Sequence, residues 1–292
     1  MALIYDVSFD SGTRVLSLLD KAGNVISQCE VPSKEVDDIT KPLTFKATQD
    51  GSTVKLTRNN ENADGEFQTS RDGGNTWEDY TIGSRITLNT DDEVSFRAKA
   101  DRTSEQTSEN YFGFQMTGKI EAWHNVMSLY RTNDFATYES VVACAFRSLF
   151  KNCTSLIKAP ALPATTLASN CYSEMFSGCQ SLPKAPELPA TKLAQSCYSY
   201  MFDGCRSLTK APALPAKYLA FSCYYVMFNG CQSLKEVRIA ATTTATDALD
   251  YWLSGVSATG DFYCDPNATI FPTGTSGIPK GWTRHSIAHY PN

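Results

Sequence analysis

Thiols at fixed spacing can ligate a metal, close disulfides or act as nucleophiles, and this chain of 292 residues carries ten cysteines. Eight of them, Cys144, Cys153, Cys171, Cys179, Cys197, Cys205, Cys223 and Cys231, lie in or beside one region of the chain. Seven fall into two series with a period of 26 residues, and Cys144 is one residue out of phase because Ala145 takes its place. No pair has the CxxC spacing of a zinc site, so these thiols are expected to be buried and to pack as small apolar side chains. Cys29 and Cys264 have no evident partner. The three histidines, His124, His285 and His289, have no cysteine or second histidine at metal spacing. There is no G-x-S-x-G, no H-E-x-x-H and no glycine-rich phosphate loop. These residues predict no catalytic group, no metal site and no cofactor.

One further motif suggests chemistry. Ser70-Arg71-Asp72-Gly73-Gly74-Asn75-Thr76-Trp77 fits the S-x-D-x-G-x-T-W box found in sialidase propellers and in many unrelated β domains. A sialidase needs several boxes, an arginine cluster and a Tyr/Glu pair, and only one box is present. The reading is therefore structural: a hairpin turn in which the serine and aspartate satisfy backbone groups.

The element that positions most of the cysteines is a 26-residue repeat. It reads LFKNCTSLIKAPALPATTLASNCYSE from Leu149, MFSGCQSLPKAPELPATKLAQSCYSY from Met175 and MFDGCRSLTKAPALPAKYLAFSCYYV from Met201, with a decaying fourth copy from Met227. The second and third copies share 17 of 26 residues, and a period of this size implies one supersecondary unit per copy. Leu193, Cys197 and Met201, with Ala194, Tyr198 and Phe202 one residue later, form two adjacent rows at i, i+4, i+8 and predict a short helix with one buried stripe. Thr165 and Thr191 are its expected N-caps. Asn152, Gly178, Gly204 and Gly230 are its expected left-handed C-terminal residues. Cys205, Leu208 and Ala211 should point inward from a short extended segment, and Pro183 makes the matching strand of its copy short or irregular.

Columns that vary between copies should face solvent, and they hold the candidate binding residues. Tyr218 replaces Thr166 and Lys192, Phe221 replaces Ser169 and Gln195, Tyr225 replaces Ser173 and Ser199, and Tyr200 replaces Glu174. Lys158, Lys184 and Lys210 share one column and form a ladder of like charge. Exposed aromatics on a rigid support suit sugar rings or protein hot spots; the competing reading is that they pack against the C-terminal cap.

Upstream, residues 1–36 read as a β-meander, a possible docking segment, and 43–100 as a small immunoglobulin-like β-sandwich of six short strands. Residues 111–286 hold the repeats with their caps, the core copies spanning 149–240. The expected fold is therefore α+β: a β-rich N-terminal region followed by a short α/β solenoid. A net charge of −5 gives no reason to expect nucleic acid, and no apolar run is long enough for a membrane helix. The first residues, MALIYDVSFDSG, lack the features of a signal peptide, which points to a protein made and kept without export.

The motif MFxGCxSLxxAPxLPAxxLAxxCY resembles the BspA-like leucine-rich-repeat proteins of gut anaerobes, and similar repeats occur on virion proteins of phages that infect such bacteria. The resemblance extends to residues 118–130 and 252–266. It implies a leucine-rich-repeat solenoid and surface-displayed binding or adhesion without catalysis. The expectation is a phage virion component, a head or tail fibre or decoration protein. It would contact other virion proteins through its N-terminal region and a host-surface protein or glycan through the repeats, as a homo-oligomer. A bacterial cell-surface adhesin is the alternative, and an accessory domain of a carbohydrate-active enzyme a remote one.

Overall fold

In the computed structural model, residues 6–10, 15–19, 25–30, 37–60, 65–102, 107 and 109–287 are described. Two compact units result, Met1–Val36 and Asp37–Asn292. The first is an antiparallel meander of β1 (Asp6–Asp10), β2 (Val15–Leu19) and β3 (Val25–Glu30), in that order.

The second unit begins with the short strands read from the alternating pattern: β4 (Thr44–Ala47), β5 (Ser52–Arg58), β6 (Phe67–Ser70), β7 (Glu78–Tyr80), β8 (Ile86–Leu88) and β9 (Glu93–Ala98). Two further strands, β10 (Phe112–Thr117) and β11 (Ile120–Trp123), complete the two facing sheets. One is β10-β5-β8, and the other runs β12-β11-β4-β9-β6-β7, where β12 (Leu156–Lys158) already belongs to the first repeat and pairs parallel to β11. Between the sheets Phe45 meets Phe96 and Phe114 edge-on, with ring centres 5.6 and 4.6 Å apart. Such aromatic contacts add about 0.5–1.5 kcal/mol each beyond the area they bury. A third sheet of β13 (Glu236–Arg238), β14 (Gly260–Cys264) and β15 (Trp282–Ser286), all parallel, closes the C-terminal end.

The expected fold class is overturned in the repeats. No α-helix forms among the described residues, and the only helical element is a four-residue 3-10 turn, Val126–Leu129. The chain is β-rich, with mixed and antiparallel sheets, so the α/β leucine-rich-repeat solenoid is not what this sequence builds. The hydrogen bonds show what replaces the helix. The N–H groups of Cys171, Ser173, Met175 and Ser177 each donate three residues back, at 3.1–3.3 Å. Those of Asn170, Tyr172, Glu174, Phe176 and Gly178 instead donate to Gln195, Cys197, Ser199, Met201 and Asp203 of the next copy, at 2.7–3.0 Å. Every second amide thus closes a turn and every other one ties one copy to the next. We call each such hydrogen-bonded layer a tier.

The backbone enters the left-handed region every fourth residue to do this: Asn170 has φ 56°, Glu174 59° and Gly178 76°, and the neighbouring tiers repeat the pattern. The glycine column is left-handed as expected, but it is one of three such positions per tier and does not end a helix. Thr165 does not cap one either; its hydroxyl donates to Glu139 Oε2 at 2.8 Å. The apolar rows at i, i+1, i+4 and i+5 fit a four-residue period without drift, whereas in an α-helix the stripe would rotate by about 40° every four residues.

Inside the tiers two aromatic ladders run through the core. Phe150, Phe176, Phe202 and Phe228 stack at 5.4–5.6 Å, and Phe146, Tyr172, Tyr198 and Tyr224 at 5.7–6.1 Å. Phe114 of β10 stacks on Phe150 at 5.5 Å, continuing the first ladder into the sandwich. Trp252 closes the other end of both, and its indole N–H donates to the Gly277 carbonyl at 3.1 Å.

Candidate functional site

The cysteine column of Cys153, Cys179, Cys205 and Cys231 is fully interior. Each thiol lies 3.0–3.1 Å from a carbonyl of the layer before it and donates there: to Phe114, Phe150, Phe176 and Phe202 in turn. Burial pushes the Cys153 and Cys205 thiols up to about 12 and those of Cys179 and Cys231 well above their ordinary range. The second column, Cys171, Cys197 and Cys223, is equally buried, and its thiols are raised for the same reason. A thiol held protonated is a poor nucleophile and a poor metal ligand. None of the nine described cysteines is in a disulfide, and all nine are buried; the side chain of Cys29, in β3, lies outside the described residues.

The S-x-D-x-G-x-T-W segment is a turn that holds itself together. Ser70 Oγ accepts from Gly74 N–H at 2.9 Å. Asp72 accepts from the Asn75 and Thr76 N–H groups and from the Thr76 hydroxyl, at 2.7–3.0 Å. These bonds, the Thr76 hydroxyl first, hold the Asp72 carboxyl well below its usual range. The carboxylate's hydrogen bonds all serve the turn, and Trp77, whose indole N–H donates to Gly74, lies under the Arg97 guanidinium at 4.2 Å. His124 is half-buried, with its pKa lowered chiefly by that burial, and its Nδ1 accepts from the Asp38 N–H. His285 pairs with Asp261 at 2.7 Å on the closing sheet.

The candidate binding residues divide into two sets. The lysines stand on the extended segment of each copy. Lys158 binds Asp37 at 2.7 Å and lies 3.5 Å above the Trp123 ring, so it holds the start of the second unit. Lys210 pairs with Glu236 at 2.8 Å, and Lys184 is exposed. The ladder of like charge is thus interrupted by carboxylates at both ends.

The aromatics stand on the outer side of the turns. Tyr218 is 72 % exposed and Phe221 45 %, so neither packs into the C-terminal cap. Tyr200 and Tyr225 are half-buried and touch edge to face, ring centres 5.3 Å apart at 72°. Burial and the adjoining Tyr225 hydroxyl push the Tyr200 phenol up to about 12. Beside them Asn229 Nδ2 donates to Asp203 Oδ1 at 2.8 Å. One tier toward the N-terminus, Glu174 is neutralised by Arg147 and Lys151.

The structure adds Tyr251 to this face. It is 56 % exposed and occupies the same column as Tyr200, two tiers on, with Val226 between them. The period shortens there: the Tyr200 N–H bonds the carbonyl 25 residues ahead, the Val226 N–H one 24 ahead. That lost residue hid Tyr251 from a strict 26-residue alignment. Aligning DYWLSG on YVMFNG by the shared glycine, Gly255 on Gly230, places Tyr251 on Val226 and in the Tyr200 column.

No protein-family model, curated protein or solved structure matches this chain.

Proposed function

We propose that this chain is a non-enzymatic, surface-displayed binding protein, a component of a phage particle such as a head or tail fibre or decoration protein. Its second unit attaches to a host-surface molecule. The observation that carries this reading is the set of exposed and half-exposed aromatic rings on tiers whose alternate turn amides bond one copy to the next. Rigid support lowers the ordering cost of binding, and exposed tyrosines are the usual anchors of such surfaces. The thiols of the two cysteine columns are buried and held protonated, which favours binding over thiol catalysis. The separate Met1–Val36 unit suits a docking role toward other particle proteins. No helix among the described residues is long and apolar enough to cross a membrane.

The test is binding of the full chain to host cells beside its incorporation into particles. A chain lacking residues 1–36 should still bind cells and should fail to incorporate. Tyr225→Ala with Tyr251→Ala should incorporate and lose cell binding. Cell binding untouched by both tyrosine substitutions would overturn the placement of the site, and incorporation without residues 1–36 would overturn the docking role.

A further inference from the structure

The face formed by Tyr200, Tyr225 and Tyr251 has polar and electrostatic features that select among ligands. Tyr200 and Tyr225 meet at 72°, so one ring offers its flat face beside the edge of the other. The C–H face of a pyranose ring packs on such a surface, because the ring's negative π face attracts weakly polarised C–H groups. Next to Tyr200, the Asp203–Asn229 pair presents a carboxylate and an amide side by side, joined at 2.8 Å and partly exposed. Asp203 keeps a free carboxylate oxygen as acceptor and Asn229 keeps its carbonyl and second N–H. Adjacent donors and acceptors of this kind match the vicinal hydroxyls of a sugar.

Charge narrows the class. Asp250 lies in the Tyr225 column one tier on and is partly exposed, and Asp247 is exposed at the start of the same tier. With Asp203 they make an acidic surround. Glu174, by contrast, has two cations on it. A sialylated, sulfated or phosphorylated glycan would bring like charge against Asp203 and Asp250, which disfavours it.

We propose that this face is a saccharide site that takes neutral hexose or N-acetylhexosamine units and rejects anionic glycans. This rests on the attachment function proposed above and specifies its ligand. The occupant is a sugar, not a protein, because Tyr200 stands beside a carboxylate–amide pair suited to vicinal hydroxyls.

The full chain is applied to an array of neutral hexose and N-acetylhexosamine oligosaccharides and to sulfated and sialylated forms of the same backbones. Neutral members are expected to bind and anionic forms to bind at least tenfold more weakly. Tyr225→Ala should lower neutral binding about tenfold, which corresponds to about 1.4 kcal/mol. Tyr251→Ala, at an exposed position that leaves the fold intact, should lower it several-fold, and Tyr225→Phe should retain it. Asp203→Asn should narrow the gap between neutral and anionic ligands. Equal or preferential binding of anionic forms, or neutral binding unchanged in both alanine variants, overturns the proposal. A silent array with cell attachment that protease treatment of the cells abolishes overturns the sugar assignment and leaves the attachment function standing. Loss of both array and cell binding overturns the two together.

Discussion

Tyr172 and Tyr198 sit in the interior with hydroxyls that make no hydrogen bond among the described residues. A buried, unsatisfied hydroxyl costs about 1–3 kcal/mol, and Phe146 fills the same ladder without one. Tyr198→Phe is therefore expected to leave stability unchanged or raise it by about 1 kcal/mol in chemical denaturation, whereas Tyr198→Ala should lower it by about 3–5 kcal/mol. The thiols give a second prediction at this scale. Their pKa values are raised by burial, so the folded state holds almost no thiolate at pH 8. In a Cys29→Ser background a thiol reagent should find none of the nine remaining cysteines in native protein and all nine after unfolding. Rapid labelling of any of them under native conditions would contradict the burial seen here. The burial of these cysteines was legible in the sequence, since fixed spacing without CxxC leaves packing as their role. Their S–H donation to the preceding layer was not, because it depends on which carbonyls the turns leave facing the thiol.

At the scale of elements, the short strands between residues 44 and 98 follow from period-two alternation and turn residues, whereas the repeat was misread. Apolar pairs four residues apart resemble one helical stripe over two turns, and periodicity over so few residues cannot separate 3.6 from 4.0. What decides is where the amides go, half of them to the next copy, and no local propensity reports that. Gly204 tests the resulting geometry. It has φ 71°, and a Cβ there would meet nothing closer than 3.9 Å. Gly204→Ala is thus expected to cost about 1–2 kcal/mol from backbone conformation alone, with Gly204→Asn milder. In the hairpin turn, the Asp72 carboxyl is depressed below its ordinary value of 3.8. A depressed carboxyl stabilises the fold above that ordinary value and ceases to as pH falls through the folded one. Asp72→Ala should accordingly lower the melting temperature at pH 7, and the gap to the parent should narrow as pH drops below 3.8.

Across the whole second unit, the sandwich and the tiers share one core. Phe114 touches Phe45 and Phe96 on one side and stacks on Phe150 on the other, and β12 extends the sandwich sheet. Residues 37–292 should therefore unfold in a single calorimetric transition. Phe114→Ala is expected to cost about 3–5 kcal/mol and to split that transition in two; a parent that already melts in two steps would show the cores to be independent. The candidate site was partly legible at this scale. Variable columns pointed to Tyr200, Tyr218, Phe221 and Tyr225, but the contact between Tyr200 and Tyr225 and the arrival of Tyr251 depend on how the tiers lie over one another.

In the turn segments the alternate amides that leave each copy donate to the copy that follows, whereas in the extended segments the Ser207, Lys235 and Ala240 N–H groups, like the thiols, donate back to the copy before. Along the turns, one side of each tier is therefore a row of N–H donors and the other a row of carbonyl acceptors, so that a tier stacks on its neighbours in one orientation. Duplication or loss of a 26-residue unit changes the height of the molecule in steps of about 4.8 Å while leaving both ends as they were. The molecule is a ruler with fixed graduations, and gene duplication can set how far its aromatic face stands from its closing sheet without redesigning either.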